Sequence, residues 1–228
     1  YPDEVVDWAH KEKCRTIAYT YSEPTVFYEY MLDTSKIAMN RGIKNIYHSN
    51  GYMSPEPLKA LCQYLDGANV DLKGFTNEFY KTVSAGRLGP VLNTLKTLRE
   101  KGVHLEITNL VVPGLNDDMD KIEEMCCWIR DELGEDVPLH FSRFQPMYKL
   151  KNLPQTPVVT LERAQETAMG VGLNYVYIGN VPGHKGENTY CPKCRKLLVG
   201  RIGFEVREMN LVQGKCKFCG RRIAGVWA

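Results

Sequence analysis

Helix-like and strand-like segments alternate six times over residues 1–183, and this rhythm restricts the fold more than any other feature of the chain. Residues 3–13 read as a helix with Val5, Val6 and Ala9 on one face, followed by a strand at 16–21. A helix over 24–41 opens on Pro24 and closes on Gly42. A strand at 43–49, a helix starting near Ser54, a strand at 68–73 and two helical stretches within 76–101 follow. The strand 103–112 stops at Pro113-Gly114 and leads into a helix over 116–133 with acids in its first turn. A strand at 138–145, a helix at 160–172 and a strand at 174–179 complete the series. Such alternation specifies parallel strands joined by crossover helices. A full eight-fold (β/α) barrel takes about 250 residues. Six strands within residues 1–183 therefore predict an α/β fold in the form of an incomplete (β/α) barrel.

The strands carry a second message. Central strands of parallel sheets are normally apolar on both faces. Here period two puts Asn69, Asp71 and Lys73 on one face of their strand and Ala68, Val70 and Leu72 on the other. His104, Glu106 and Thr108 share a face, as do His48 and Asn50. A polar side on a parallel sheet implies a polar cavity, with a site toward the C-terminal strand ends.

Residues 184–228 are of a different kind. Two Cys-x-x-Cys pairs, Cys191/Cys194 and Cys216/Cys219, flank a hairpin-like stretch over 197–212. Two such knuckles form a tetrahedral four-sulfur site of the kind zinc takes in structural modules, although iron or an iron–sulfur cluster also accepts four thiolates. A small zinc-ribbon-like module is expected here. The remaining cysteines, Cys14, Cys62, Cys126 and Cys127, are scattered in apolar surroundings and read as free thiols, which fits a reducing, cytoplasmic compartment. No apolar run approaches the roughly 18 residues of a membrane span, and nothing in the sequence argues for export. The net charge of +2 conceals nine Lys/Arg against two Glu from Tyr190 onward, leaving −5 on residues 1–189. Four thiolates around a divalent ion leave an excess of negative charge that Lys193, Arg195, Lys215 and Lys217 offset, so the basic tail argues only weakly for nucleic acid.

Five segments carry candidate chemistry, each with a plainer structural reading beside it. In Tyr21-Ser22-Glu23-Pro24, Glu23 is placed to accept from an amine, or simply starts a helix near its dipole. His48-Ser49-Asn50-Gly51 suits ligand approach or a turn. Asp71 and Lys73 form a clasp for a zwitterion or an internal ion pair. Thr108 and Asn109 precede a loop, 113–118, that reads as a helix cap, and Arg143 and Gln145 share a face able to hold a carboxylate or a ribose. No Gly-rich phosphate loop and no deaminase signature is present.

Taken together and in order, TYSEPT (20–25), HSNGY (48–52), NVDLKGF (69–75), VVPGLNDD (111–118), HFSRF (140–144) and GNVPGHKGENTYCPKC (179–194), with CKFCG and a terminal GVW, resemble the radical SAM enzyme of the AmmeMemoRadiSam system. The chain is more loosely similar to glycyl-radical activating enzymes such as the pyruvate formate-lyase activase. The resemblance implies a partial barrel that binds S-adenosylmethionine beside a [4Fe-4S] cluster and generates a 5′-deoxyadenosyl radical. It places Tyr21–Pro24 at the methionine amine and Ser49 and Asn50 near the methionine moiety. Asp71 and Lys73 fall at positions serving a monovalent cation and the carboxylate. Thr108 and Asn109 fall near a ribose- or carboxylate-contacting position, and Gln145 where relatives more often carry His.

The chain departs from that family in one respect. The cluster-binding Cys-x-x-x-Cys-x-x-Cys is absent, and three thiolates are needed. In the family those ligands precede the equivalent of Tyr1. The chain is expected to be the C-terminal portion of a longer oxidoreductase and inactive alone. The rival expectation is a non-catalytic barrel and ribbon that docks a protein. The substrate is not legible; a partner protein is the expectation for an activase-like parent, and no membrane is implied.

Overall fold

A computed structural model of the chain describes residues 1–227. Its elements run α1 (Pro2–Lys11), β1 (Thr16–Tyr19), a 3-10 turn (Pro24–Phe27), α2 (Tyr28–Asn40), β2 (Lys44–Ser49), α3 (Pro55–Leu61), β3 (Gly67–Asp71), α4 (Asn77–Val83) and α5 (Leu88–Glu100). They continue with β4 (His104–Val111), α6 (Met119–Leu133), β5 (Leu139–Arg143), α7 (Val158–Gly170) and β6 (Val176–Gly179). Five short strands follow: β7 (Thr189–Tyr190), β8 (Leu197–Ile202), β9 (Glu205–Met209), β10 (Leu211–Val212) and β11 (Lys215–Cys216).

The first six strands form one sheet in the order β1-β2-β3-β4-β5-β6, with parallel pairing recorded for β1–β2, β2–β3 and β5–β6. Strictly sequential order means that every crossover progresses in the same sense. That is the topology of a (β/α) barrel wall and not of a doubly wound sheet, whose order reverses at a switch point. The four terminal cysteines cluster, as the spacing predicts.

Two compact units divide the chain: Tyr1–Leu72 with Tyr80–Ile107, and Lys73–Phe79 with the residues from Thr108 onward. In the first, Val6 of α1, Ala38 and Ile43 pack with Ala9, Ile17 and Ile37. Leu58, Leu61, Val91, Leu95 and Leu98 of α3 and α5 are buried, as are Val70, Leu105 and Ile107 of the sheet. In the second, Ile122, Met125, Ile129, Leu161, Ala164 and Ala168 of α6 and α7 are buried along with Leu139, Phe141 and Ile178.

The predicted alternation of faces is present. Ala68 and Val70 are buried while Asn69 and Asp71 stay partly accessible; Leu105, Ile107 and Asn109 are buried while His104, Glu106 and Thr108 are not. Several boundaries differ from expectation for local reasons. β3 ends at Asp71, so Lys73 lies beyond it; the Lys73 carbonyl accepts from Asn116 Nδ2 at 2.5 Å, a side-chain bond in place of a ladder bond. Helix α6 starts at Met119 because Asn116 and Asp117 are used up in the preceding turn, accepting from Val112 N and Gly114 N. Asp118 is the cap and accepts from the amides of Asp120 and Lys121.

One buried polar residue holds β2 in place. Asn45 donates from Nδ2 to the carbonyls of Ser35 and Tyr64, both at 3.0 Å, and accepts from Tyr19 Oη at 3.0 Å. Its own amide donates to Asp66 Oδ2. Asn45→Ala removes one hydrogen bond from each of the Ser35 and Tyr64 carbonyls and one from the Tyr19 phenol, at a buried position. The expected loss is about 3 kcal/mol of unfolding free energy, read as a lower midpoint in urea denaturation at unchanged slope.

Candidate functional site

In the first unit the C-terminal ends of β1 and β2 are tied by a single carboxylate. Glu23 sits between β1 and the 3-10 turn and caps that turn. Its Oε1 accepts from Thr25 N at 3.1 Å, Thr25 Oγ1 at 2.7 Å and Ser49 Oγ at 2.7 Å; its Oε2 accepts from Asn50 N at 2.8 Å. Tyr47 Oη donates to Ser49 Oγ at 2.6 Å. Burial pushes the Tyr47 phenol up to about 12, with only partial offset from Ser49 and Thr25, so it stays a donor. A carboxylate oxygen accepts two hydrogen bonds. Oε1 is therefore saturated, while Oε2, with its one bond, has capacity for an incoming amine.

Gly51 completes the strand end. Its φ is +72°, and an added Cβ would stand 2.7 Å from Val70 Cγ1, so only glycine fits. Asn50 Oδ1 accepts from Tyr52 N at 2.8 Å and closes the turn. Tyr21 and Ser22 are exposed, joined by a cis peptide, and Pro24 is buried. On β3, Asp71 Oδ2 lies 3.9 Å from His48 Nε2. The structure thus gathers Glu23, Pro24, Ser49 and Asn50 at one pair of strand ends, with Asp71 one strand over. Tyr47 and Thr25, which complete the hydrogen-bond set, were missed; Tyr47 reads in sequence only as a core aromatic.

The second unit holds the other expected positions, and they are less uniform. Thr108 and Asn109 point to opposite faces of β4. Asn109 is buried, with Nδ2 3.8 Å from Met125 Sδ of α6. Arg143 Nε donates to the Thr156 carbonyl at 2.8 Å, and Gln145 is exposed. Thr156 was not foreseen: its Oγ1 accepts from Phe144 N at 2.9 Å and donates to the Val111 carbonyl at 2.6 Å, joining the ends of β4 and β5. Nothing in its surrounding sequence, QTPVV, announces that role.

The four terminal cysteines bring their Sγ atoms within 4.8 Å of one another, with 3.6 Å between Cys191 and Cys219 and 3.7 Å between Cys194 and Cys216. The two knuckles share one construction. The amides of Arg195 and Gly220 donate to the carbonyls of Cys191 and Cys216, each at 2.9 Å, and the amides of Cys191 and Cys216 donate to Lys196 and Arg221. Arg195 and Gly220 both take the left-handed conformation that this turn demands. Sulfurs held about 2.3 Å from one tetrahedral ion stand about 3.8 Å apart. The observed spacing fits one ion. A multinuclear cluster, in which each thiolate binds a different iron, spreads its ligands further. Burial opposes ionisation of Cys216, but amide bonds from Cys219 and Phe218 and the neighbouring thiols bring it down to about 7, while at Cys219 the lowering by the Arg221 amide is outweighed by burial and the neighbouring thiols, which push it up to about 12.

The other cysteines form no such group among the described residues. Cys14 is exposed and Cys62 and Cys126 are buried. Burial raises Cys62 and pushes Cys126 up to about 12, keeping both as thiols. The described residues therefore do not fit a radical-generating cluster.

Residues 1–126 match the radical SAM superfamily. The chain belongs to that superfamily. This radical SAM chain is 51% identical over 224 residues to an uncharacterized protein of Methanocaldococcus jannaschii, a match that covers 97% of the chain and 66% of the relative, so it spans just under two thirds of that protein's length. Among solved structures it resembles a domain of pyruvate-formate lyase-activating enzyme from Bacteroides vulgatus, with a TM-score of 0.62 at 15% identity, covering 72% of this chain and 98% of that one. It also resembles a radical SAM methyltransferase from Sphaerobacter thermophilus (TM-score 0.61, 14% identity, 82% and 60% covered). A third is SuiB of Streptococcus suis bound to S-adenosylmethionine (TM-score 0.57, 12% identity, 72% and 39% covered). At these identities the likeness is one of fold, and the fold is the six-stranded radical SAM partial barrel.

Glu23→Gln keeps the shape of the side chain but turns one acceptor into a donor facing donors. We expect about 2 kcal/mol lower stability in urea denaturation and faster hydrogen exchange at the Asn50 amide.

Proposed function

We propose that this chain is the S-adenosylmethionine-binding part of a radical SAM oxidoreductase whose cluster ligands lie outside it. The observation that carries the reading is the superfamily match over residues 1–126, a stretch that contains Glu23, Ser49, Asn50 and Asp71. The free capacity at Glu23 Oε2 supports it, as does the likeness of fold to a structure with S-adenosylmethionine bound. With a reduced cluster, S-adenosylmethionine supplies a carbon-centred radical that removes hydrogen from a substrate. In the first unit, Glu23 would accept from the methionine amine, the Tyr21–Pro24 and Ser49–Asn50 segments would hold the aminoacyl end, and Asp71 would supply a further carboxylate. In the second unit, Lys73, Thr108, Asn109, Arg143 and Gln145 enter the proposal on resemblance alone. The parent would act as an activase on a partner protein, and the chain alone would generate no radical. No cysteine is in a disulfide among the described residues, and a reducing, cytoplasmic setting is part of the proposal. No helix among the described residues is long and apolar enough to cross a membrane.

One observation favours a second reading. Among the described residues the only group of cysteines is the terminal four, which fits a non-catalytic barrel that docks a protein. Titrating the isotope-labelled chain with S-adenosylmethionine separates the two. The expected result is a shift of the Asn50 and Asp71 amide signals that is lost in Glu23→Ala. No shift at either amide in the unaltered chain at millimolar ligand would sink the nucleoside-binding reading.

The ion of the four-cysteine site is proposed to be zinc. Metal analysis should find about one zinc per chain in a colourless protein, and Cys216→Ser should lower the zinc content sharply. Visible thiolate-to-iron absorption with matching iron would replace zinc by a single iron.

A further inference from the structure

The four-cysteine module is built onto the last barrel strand. Cys191, Cys216, Leu198, Val199 and Ile223 form one buried cluster with Tyr175, the residue before β6, and Tyr177 packs against it. The Ala224 amide donates to Tyr175 Oη at 3.2 Å. Tyr175 and Tyr177 lie two apart and project from the same face of the strand. That face is opposite to Val176 and Ile178 and continuous, through strand pairing, with His140 of β5.

A chain of contacts runs along that face. Arg201 of β8 donates from its backbone amide to Asn188 Oδ1 at 2.7 Å, and from Nη1 to Thr189 Oγ1 at 2.8 Å and the Glu187 carbonyl at 3.2 Å. Thr189 Oγ1 is 3.0 Å from Tyr177 Oη. The Arg201 guanidinium lies 5.9 Å from the centre of the Tyr177 ring, within cation–π range. Tyr177 in turn stacks on His140, with centroids 5.0 Å apart and planes 20° apart; the two are direct partners in the β5–β6 register. Thr189 stands two residues before Cys191 and pairs with Val199 of β8. Thr189 and Arg201, which both contact Tyr177, therefore sit on paired strands next to the cysteine knuckles.

We propose that Arg201 is a positioning residue: held by the metal-stapled module, it fixes Tyr177 and, through it, the His140 ring on the polar face of β5–β6. Ion occupancy at Cys191, Cys194, Cys216 and Cys219 is thereby transmitted to that wall. A module this small has too little core to hold its shape without the ion. Once the ion is gone, β7 and β8 loosen, and Tyr177 loses the Thr189 hydroxyl and the Arg201 cation over its ring. His140 then loses the fixed plane against which it stacks. The functional weight of this coupling rests on the polar face being the reaction side; the coupling itself does not.

The test uses the full chain loaded with zinc and the ring carbon–proton signals of its five histidines, with His140 assigned by their loss in His140→Gln. Stacking on Tyr177 displaces the His140 signals from their free-chain positions. In Arg201→Ala, at unchanged zinc content, those signals should return toward free-chain positions while those of His10 and His48 stay in place. Arg201→Lys, which keeps the charge but not the planar fork, should restore them in part. Zinc removal by a chelator should reproduce the Arg201→Ala change. Unmoved His140 signals in zinc-loaded Arg201→Ala overturn the proposal, and so do unmoved signals in zinc-free protein. If zinc removal disperses all five histidines by unfolding the chain, the Arg201 variants decide alone. None of these readouts involves S-adenosylmethionine, so failure here is distinct from failure of the nucleoside titration.

Discussion

Everything in this structure depends on strands that are apolar on one face and polar on the other. In the usual parallel sheet both faces are covered and both are hydrophobic. Here Ala68, Val70, Leu105 and Ile107 are buried, while Asn69, Asp71, His104 and Glu106 on the alternate positions remain partly accessible. Desolvating such groups is costly unless they are paired, and on this side His104 Nε2 lies 3.4 Å from Glu106 Oε1 and His48 Nε2 lies 3.9 Å from Asp71 Oδ2. The strands progress in sequence, each crossover in the same sense.

At the ends of these strands, polar side chains first do structural work. Glu23 satisfies four donors, three of them on one oxygen, and this holds the β1 and β2 ends in register before any ligand arrives. Thr156 does the same for β4 and β5 with one hydroxyl that both donates and accepts. Such clips make the rim rigid, which is what a site needs if it is to bind without first ordering its own residues. The plainer and the functional readings of Glu23 are not rivals: one carboxylate oxygen ties the loops and the other retains capacity.

The fold was legible in the sequence because it rests on periodicity. Alternation of apolar residues fixes which face of a strand is buried, and the Cys-x-x-Cys spacing fixes a knuckle, whatever the rest of the chain does. Local competition was harder to read. The helix expected from Asn116 starts at Met119, since Asn116 and Asp117 cap the turn before it. The strand expected through Lys73 ends at Asp71, since a side chain takes the Lys73 carbonyl. The site was legible where its residues are close in sequence, as in Glu23 with Thr25 or Ser49 with Gly51. It was opaque where one hydroxyl reaches across the fold, as Thr156 does to Val111, 45 positions away. Thr108 and Asn109 show a further limit: adjacent residues on a strand face opposite ways, so a two-residue motif cannot place both side chains on one site.

The terminal module answers a different physical need. In the sheet order β6 has a neighbour on one side only, and an edge strand is a liability unless something covers it. Residues 185–187 lie on this strand: a Cβ on Gly186 would stand 2.9 Å from Ile178, so that position admits nothing larger than glycine. Tyr175 and Tyr177 bury their rings against the cysteine cluster. A segment this short cannot hold such a cover by hydrophobic burial alone, whereas one ion gripped by two knuckles can. The four-cysteine group thus stands beside the last strand of the sheet, inside a buried cluster with Tyr175, Leu198, Val199 and Ile223.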